Sequence, residues 1–147
     1  MGPRGFQIGA QRRLIYLSLF PVIICELAIF PFWFGGARNN PGVADAQLLV
    51  TIFLLPLYLA IVTSICVWRG TFRDMLFAFA LLLICIALAV FLAYAAWGLS
   101  TGRFWAPDYE TVFILRQAGL LAVAVGLVPP LATLAVRFVS LYSRRHA

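Results

Sequence analysis

The chain has 147 residues, of which 64% are hydrophobic and only 11% are charged, a composition that excludes a water-soluble globular domain and is typical of polytopic membrane proteins. Because a membrane-spanning helix needs about 20 mainly apolar residues, we expect about four spans in one membrane domain, residues 1–147. The net charge of +6 comes from arginines at the ends of the apolar runs, where they contact lipid phosphates, so no nucleic-acid binding is expected.

Residue types that hold metals and cofactors are few and scattered. The three cysteines lie in different apolar runs without a CxxC pair, which is typical of small core residues. The one histidine is the penultimate residue, so it is too far from the spans to ligate haem or a metal within the membrane. With no catalytic triad and no close pair of carboxylates in the membrane, we expect no metal, no cofactor and no enzymatic activity, and a membrane enzyme for lipid or quinone chemistry is the minor alternative.

The first predicted span covers residues 14–34 and follows a short basic arm that contains Arg4, Arg12 and Arg13. It ends at two glycines and the sequence ARNNP, which is typical of a turn. Near its middle, between two prolines, lies one carboxylate, Glu26. An ionisable residue at membrane depth indicates a functional site by default.

The second and third predicted spans cover residues 46–68 and 75–98, and a six-residue turn joins them as a tight antiparallel pair. Asp45 stands just before the second span, where a carboxylate binds free backbone N–H groups and suits the positive end of the helix dipole. The third span contains no charged residue and is predicted to be a plain membrane helix.

A longer loop, residues 99–111, precedes the fourth predicted span, residues 112–136. Its charged and aromatic residues favour a position at the interface or contact with a partner, and they include Arg103, Trp105, Asp108, Tyr109 and Glu110. The two acids are expected to cap the fourth span, with a cation or partner contact as the alternative. Within this span, Pro129 and Pro130 remove two backbone donors and crowd two carbonyls, so we expect a kink or a break there.

The distribution of the arginines predicts the orientation of the chain. Eight of them lie in the N-terminal arm, in the turn between the second and third spans and in the C-terminal tail; the others are Arg38, Arg103 and Arg116. Because arginine-rich loops remain in the cytoplasm, both termini are predicted to be cytoplasmic. The predicted fold is therefore an all-α membrane protein, a four-helix transmembrane bundle, and the arginine-rich, lysine-free ends favour a bacterial inner membrane.

Three hypotheses concern Glu26. A rise of about 1.5 Å per residue places it about 12 Å below the outer edge of a ~30 Å hydrocarbon core and places Arg116 about 6 Å below that edge, so an ion pair between them is the first hypothesis. In the second, Glu26 exchanges a proton for a cation or drives gating. In the third, it pairs with a residue of another subunit.

The fourth span also carries Ala118, Ala122 and Gly126 at four-residue intervals, a small-xxx-small stripe that lets helices approach closely. Such a stripe favours packing within one bundle or an interface with another chain. A single glutamate in the first of four spans resembles the small multidrug resistance transporters, but only in that residue and the helix count. Those transporters show little charge bias and have a different first-span pattern, so no family is assigned.

The sequence as a whole favours a non-catalytic small or accessory subunit of a larger integral-membrane assembly, docking through its membrane helices. The alternative is a small homo-oligomeric transporter or channel in which Glu26 couples to protons or cations. In both cases the expected partners are the lipid bilayer and other membrane subunits, or further copies of this chain.

Overall fold

The computed structural model describes residues 3–35, 40–106 and 108–146. This part of the chain forms helices only, namely α1 (Pro3–Phe34), α2 (Pro41–Leu49), a π-helical turn (Val50–Leu54), α3 (Leu55–Arg69), α4 (Phe72–Thr101) and α5 (Tyr109–His146). Four helical stretches are long and apolar enough to cross a membrane, and they are Gln11–Phe34, Pro41–Arg69, Phe72–Thr101 and Tyr109–Ser143. The predicted all-helical architecture with four candidate membrane spans is confirmed. Arg38, which entered the prediction of orientation, lies outside the described residues.

The start and the end of α4 follow from its terminal residues. Thr71 Oγ1 accepts a hydrogen bond from the backbone N–H of Asp74, whose carboxylate accepts one from the backbone N–H of Thr71 at 2.9 Å. This reciprocal capping box satisfies two backbone groups that a helix start otherwise leaves free. At the other end Gly102 has a φ of 72°, a left-handed conformation that favours glycine and stops the helix.

Small residues on α5 allow close helix packing within the chain. Ala118, Ala122 and Gly126 are all buried. A Cβ atom added at Gly126 would lie 2.7 Å from Cδ1 of Ile86 and 3.5 Å from Cδ1 of Leu82, both on α4. The stripe is therefore occupied by contacts inside the bundle, the first of its two expected uses.

Proline residues inside the helices do not interrupt them. Helix α5 continues through Pro129 and Pro130, so the expected break is wrong, while a kink stays a prediction. In α1, Pro21 has no N–H to bond the carbonyl of Leu17, four residues earlier. The hydroxyl of Tyr58 on α3 donates to that carbonyl at 2.9 Å and thereby satisfies it from a neighbouring helix.

The π-helical turn lies just before Pro56. The backbone N–H of Leu55 bonds the carbonyl of Val50, five residues earlier, so this turn is wider than an α-helical one. Residues at four-residue intervals along this span are all buried: Gln47, Thr51, Leu55, Leu59, Thr63 and Val67. In a regular α-helix each such interval drifts by about 40°, and the extra residue in the π turn offsets part of that drift. The polar and the apolar residues of this series therefore all lie on the buried face of the second span.

Arg137 fixes α5 against the end of α3. Its Nη1 donates to the backbone carbonyl of Val67 and, at 3.6 Å, to Sδ of Met75. Val67 lies in the last turn of α3, where carbonyls have no partner within the helix. The guanidinium therefore caps α3 and suits the negative end of its dipole.

Candidate functional site

Glu26 lies at the centre of a buried group of polar side chains. Its carboxylate is 1% exposed and accepts a hydrogen bond from Nε2 of Gln47 at 3.0 Å and from Oγ1 of Thr51 at 2.6 Å. The indole N–H of Trp33 donates to Oε1 of Gln47 at 2.7 Å. We call these four residues, Trp33, Glu26, Gln47 and Thr51, the Glu26 network.

The spacing of the four residues along the chain explains why they meet. Glu26 and Trp33 are seven residues apart, about two helical turns, so they share one face of α1. Gln47 and Thr51 are four residues apart, about one turn, so they share one face of the second span. These two faces pack against each other, which brings two donors to one carboxylate.

The chemistry of the donors fixes how the network is oriented. An indole N–H can only donate, so the amide oxygen of Gln47 must face Trp33 and its NH2 group must face Glu26. The 2.6 Å separation between Thr51 Oγ1 and Glu26 Oε1 is typical of a hydroxyl donating to a carboxylate. A hydroxyl also accepts, so a protonated Glu26 could donate to Thr51 Oγ1 and release the proton of that hydroxyl for another acceptor. The contact between Glu26 and Thr51 therefore suits both forms of the carboxyl group.

Arg116 does not belong to the network. Within the described part of the chain the only ion pair joins Arg103 to Asp108, and both oxygens of Glu26 are bonded to neutral side chains. Arg116 is exposed, and it lies two residues, or about 200° around α5, from the buried Ala118. The predicted ion pair between Glu26 and Arg116 is therefore wrong, because their similar depth says nothing about which way each side chain faces.

A cavity of about 230 Å³, which we call the aromatic cavity, lies beside the network. Three network residues form part of its wall. Apolar residues of the second span and residues of α4 and α5 complete it, among them Tyr94, Trp97, Leu115 and Ala118. The wall is mainly apolar. A molecule in this cavity would contact Gln47 and Thr51, the two donors to Glu26, without touching the buried carboxylate itself.

The loop before α5 is organised by Asp108. Its Oδ1 accepts a hydrogen bond from the backbone N–H of Thr111 at 2.9 Å, which caps α5, and its Oδ2 pairs with Nη1 of Arg103 at 2.9 Å. The hydrogen bonds from Thr111, together with the nearby Arg103, hold the pKa of Asp108 below its usual range. Glu110 lies in the first turn of α5 and is exposed, where an acid suits the helix dipole.

Aromatic side chains in the same loop face outward. Trp105 is 91% exposed and Tyr109 is 83% exposed, although both are large. The adjacent Phe104 is held to the bundle, because its carbonyl accepts a hydrogen bond from the hydroxyl of Tyr94 at 2.6 Å. Trp105, next to the held Phe104, and Tyr109, the first residue of α5, thus present two exposed rings.

The sequence indicated Glu26 but not its partners, although it contains a signal for them. In an antiparallel helix pair, residues at equal distances from the connecting turn lie at similar depth. Glu26 is eight residues before the end of α1, and Gln47 and Thr51 are six and ten residues after the start of α2. The two polar residues of the second span therefore lie just above and just below the depth of Glu26. A search for polar residues at that depth would have identified Gln47 and Thr51 as its partners.

No protein-family model, no curated protein and no solved structure matches this chain. The described residues also contain no group of three or more histidine, cysteine, aspartate or glutamate side chains that could hold a metal ion. Fold and site together define a class, a helical protein with four candidate membrane spans around a buried glutamate. Its function is therefore inferred from the geometry of the Glu26 network.

Proposed function

We propose that this chain is a small membrane transporter or channel in which Glu26 takes up and releases a proton. The observation that carries this proposal is a carboxylate, 1% exposed, that is bonded to two neutral donors and to no cation among the described residues. Holding such a group permanently ionised within a membrane costs several kcal/mol, because neither water nor a fixed positive charge compensates it. Proton uptake removes that cost.

Coupling to a transported molecule follows from the shared wall of the aromatic cavity. A ligand that packs against Gln47 or Thr51 and displaces its side chain would take a donor away from Glu26 and favour its protonated form. By linkage, protonation of Glu26 frees the same donors and changes the affinity for the ligand by the same factor. This reciprocity is what a coupled transporter requires.

The accompanying topology is part of the proposal. The arginine distribution supports cytoplasmic positions for both termini, and the arginine-rich, lysine-free ends support a bacterial inner membrane. The Glu26 network and the aromatic cavity then lie in the outer half of the bilayer. Counted from the start of the fourth span, Pro129 lies about 25 Å below the outer edge, so a kink there would let the inner end of α5 move relative to the Glu26 network.

A pH-jump experiment tests the role of Glu26 without knowledge of the substrate. Purified protein in liposomes is adsorbed to a solid-supported membrane, and a step in external pH is applied while charge displacement is recorded. We expect a transient current in the wild type, because a proton moves to the depth of Glu26, and no current in E26Q. The matched control is E110Q, which removes an exposed acid and should leave the current unchanged. Equal currents from E26Q and wild type would contradict the proposal.

A second candidate function is an accessory subunit of a larger membrane assembly. The observation that favours it is the exposure of Trp105 and Tyr109, at 91% and 83%, close to the start of α5. The small-residue stripe no longer supports this candidate, because it packs within the chain. Purification in a mild detergent with mass analysis tests it: other polypeptides should appear in a fixed ratio and be lost from a variant with alanine at both positions. A chain that is isolated alone as a stable homo-oligomer would eliminate this candidate.

A further inference from the structure

A second recess lies between α4 and α5, on the side of the bundle that faces the bilayer. We call it the α4–α5 groove; its volume is about 440 Å³, and its wall includes Val90 and Phe91 of α4 and Leu115, Gly119 and Val123 of α5. Phe91 is 55% exposed, so the groove opens outward. A Cβ atom added at Gly119 would meet no heavy atom within 4 Å, which shows that the glycine leaves open space there.

The groove has the dimensions of one lipid leaflet. From Leu115 to Val123 the helix rises by about 12 Å, compared with about 15 Å for half of a ~30 Å hydrocarbon core. The three α5 residues recur every four positions, so they form a continuous strip along the helix. An extended acyl chain fits this shape better than a compact ligand does.

Arg116 does not line the groove, but it lies on the adjoining face of α5. Around the axis of α5 it is about 60° from Gly119 and about 20° from Val123, and it precedes both along the chain. Side chains of a helix lean toward its amino terminus, so the guanidinium leans toward Tyr109 and the nearer membrane surface. It is exposed and forms no ion pair with any acid in the described ranges.

We propose that an acidic phospholipid binds here, with its phosphate on Arg116 and one acyl chain in the α4–α5 groove. An anion stabilises a guanidinium near the end of a membrane span, and the planar donors of the guanidinium match a phosphate group in a bidentate manner. The groove begins beside the arginine and runs away from the surface, as a lipid tail does from its headgroup. In the predicted orientation this lipid belongs to the outer leaflet.

Native mass spectrometry of the full chain in detergent tests the site. Phosphatidylglycerol and phosphatidylcholine with the same acyl chains are titrated, and bound lipid is counted. We expect the wild type to prefer phosphatidylglycerol, and R116Q to bind it about tenfold more weakly, because a charge-assisted contact is lost. G119L keeps the arginine but fills the groove, so its affinity should also fall severalfold, whereas G119A should bind nearly as the wild type does.

Two controls separate this site from general charge effects. R103Q removes a loop arginine that is already paired with Asp108, and it should retain the lipid. E26Q should also retain the lipid. The result for the lipid site is therefore independent of the result for the proposed proton site. Circular dichroism and thermal unfolding of each variant establish that it is folded.

Any of three results would overturn the proposal. The first is unchanged phosphatidylglycerol binding in folded R116Q, which would exclude the arginine. The second is unchanged binding in folded G119L, which would exclude the groove. The third is displacement of the lipid by millimolar inorganic phosphate, which would indicate a site for a free anion instead of a lipid.

Discussion

Replacing Thr51 with valine tests whether the Glu26 network stabilises a charge. The change removes the 2.6 Å hydrogen bond from Thr51 to Glu26 with little change in side-chain shape. A neutral hydrogen bond between membrane helices contributes about 0.6 kcal/mol to the free energy of unfolding on average, and about 1.7 kcal/mol at most. Because a charge-assisted bond is roughly twice as strong as a neutral one, we expect T51V to lower the free energy of unfolding by about 2 kcal/mol at a pH at which Glu26 is ionised.

A double-mutant cycle with E26Q separates the effect of charge from that of shape. With a neutral amide at position 26, T51V should cost only about 0.6 kcal/mol, which leaves a coupling energy of about 1.4 kcal/mol. Unfolding is followed by circular dichroism in mixed micelles of a mild detergent and dodecyl sulfate. T63V is the matched control, since Thr63 is also buried in this span but does not bond Glu26. A coupling energy below about 0.5 kcal/mol, the range in which independent mutations add, would refute the reasoning.

Three further predictions use the same unfolding measurement. G126V should destabilise the chain by about 1–3 kcal/mol, because its side chain would overlap Ile86, and a variant as stable as the wild type would show that α4 and α5 are less closely packed. R137M should cost about 1–3 kcal/mol by leaving the carbonyl of Val67 without its donor, and a neutral effect would assign that carbonyl another partner. The pKa of Asp108 is lower in the folded chain, so its stabilising effect is present above the unfolded pKa and is lost as the pH falls below about 4. Wild type should therefore lose more stability on acidification than D108N, and parallel acid profiles would contradict this.

Much of the architecture follows from composition and length alone. Four apolar runs of span length, separated by turn residues, allow few other arrangements in a membrane, because every backbone group there must be satisfied within helices. The helix boundaries differ from those predicted mainly at the start of α1, which begins at Pro3 instead of residue 14, and at the end of α5, which extends to His146. Its two prolines suggested a stop, but a membrane helix tolerates proline where its neighbours or local adjustments satisfy the freed groups.

The site was harder to predict than the fold, for a geometrical reason. Counting residues gives the depth of Glu26 in a bilayer, but the rotation of each helix decides which side chains meet. That rotation depends on the π-helical turn Val50–Leu54, which adds one residue to the second span and has no clear signature apart from Pro56. Arg116 lies at a suitable depth, but its side chain is on the face of α5 opposite to the buried face. Thr51 is uncharged, so its sequence position alone did not indicate a partner of Glu26.

The cross-helix bond from Tyr58 to Leu17 has a consequence for how the chain enters the membrane during synthesis. When α1 leaves the ribosome, it carries a carbonyl that Pro21 has deprived of its donor, and the donors to Glu26 belong to the second span. Alone in lipid, this helix would expose both groups at a cost of several kcal/mol. We therefore expect α1 to remain beside the insertion machinery until the second span arrives, so that the two enter the bilayer together as a hairpin.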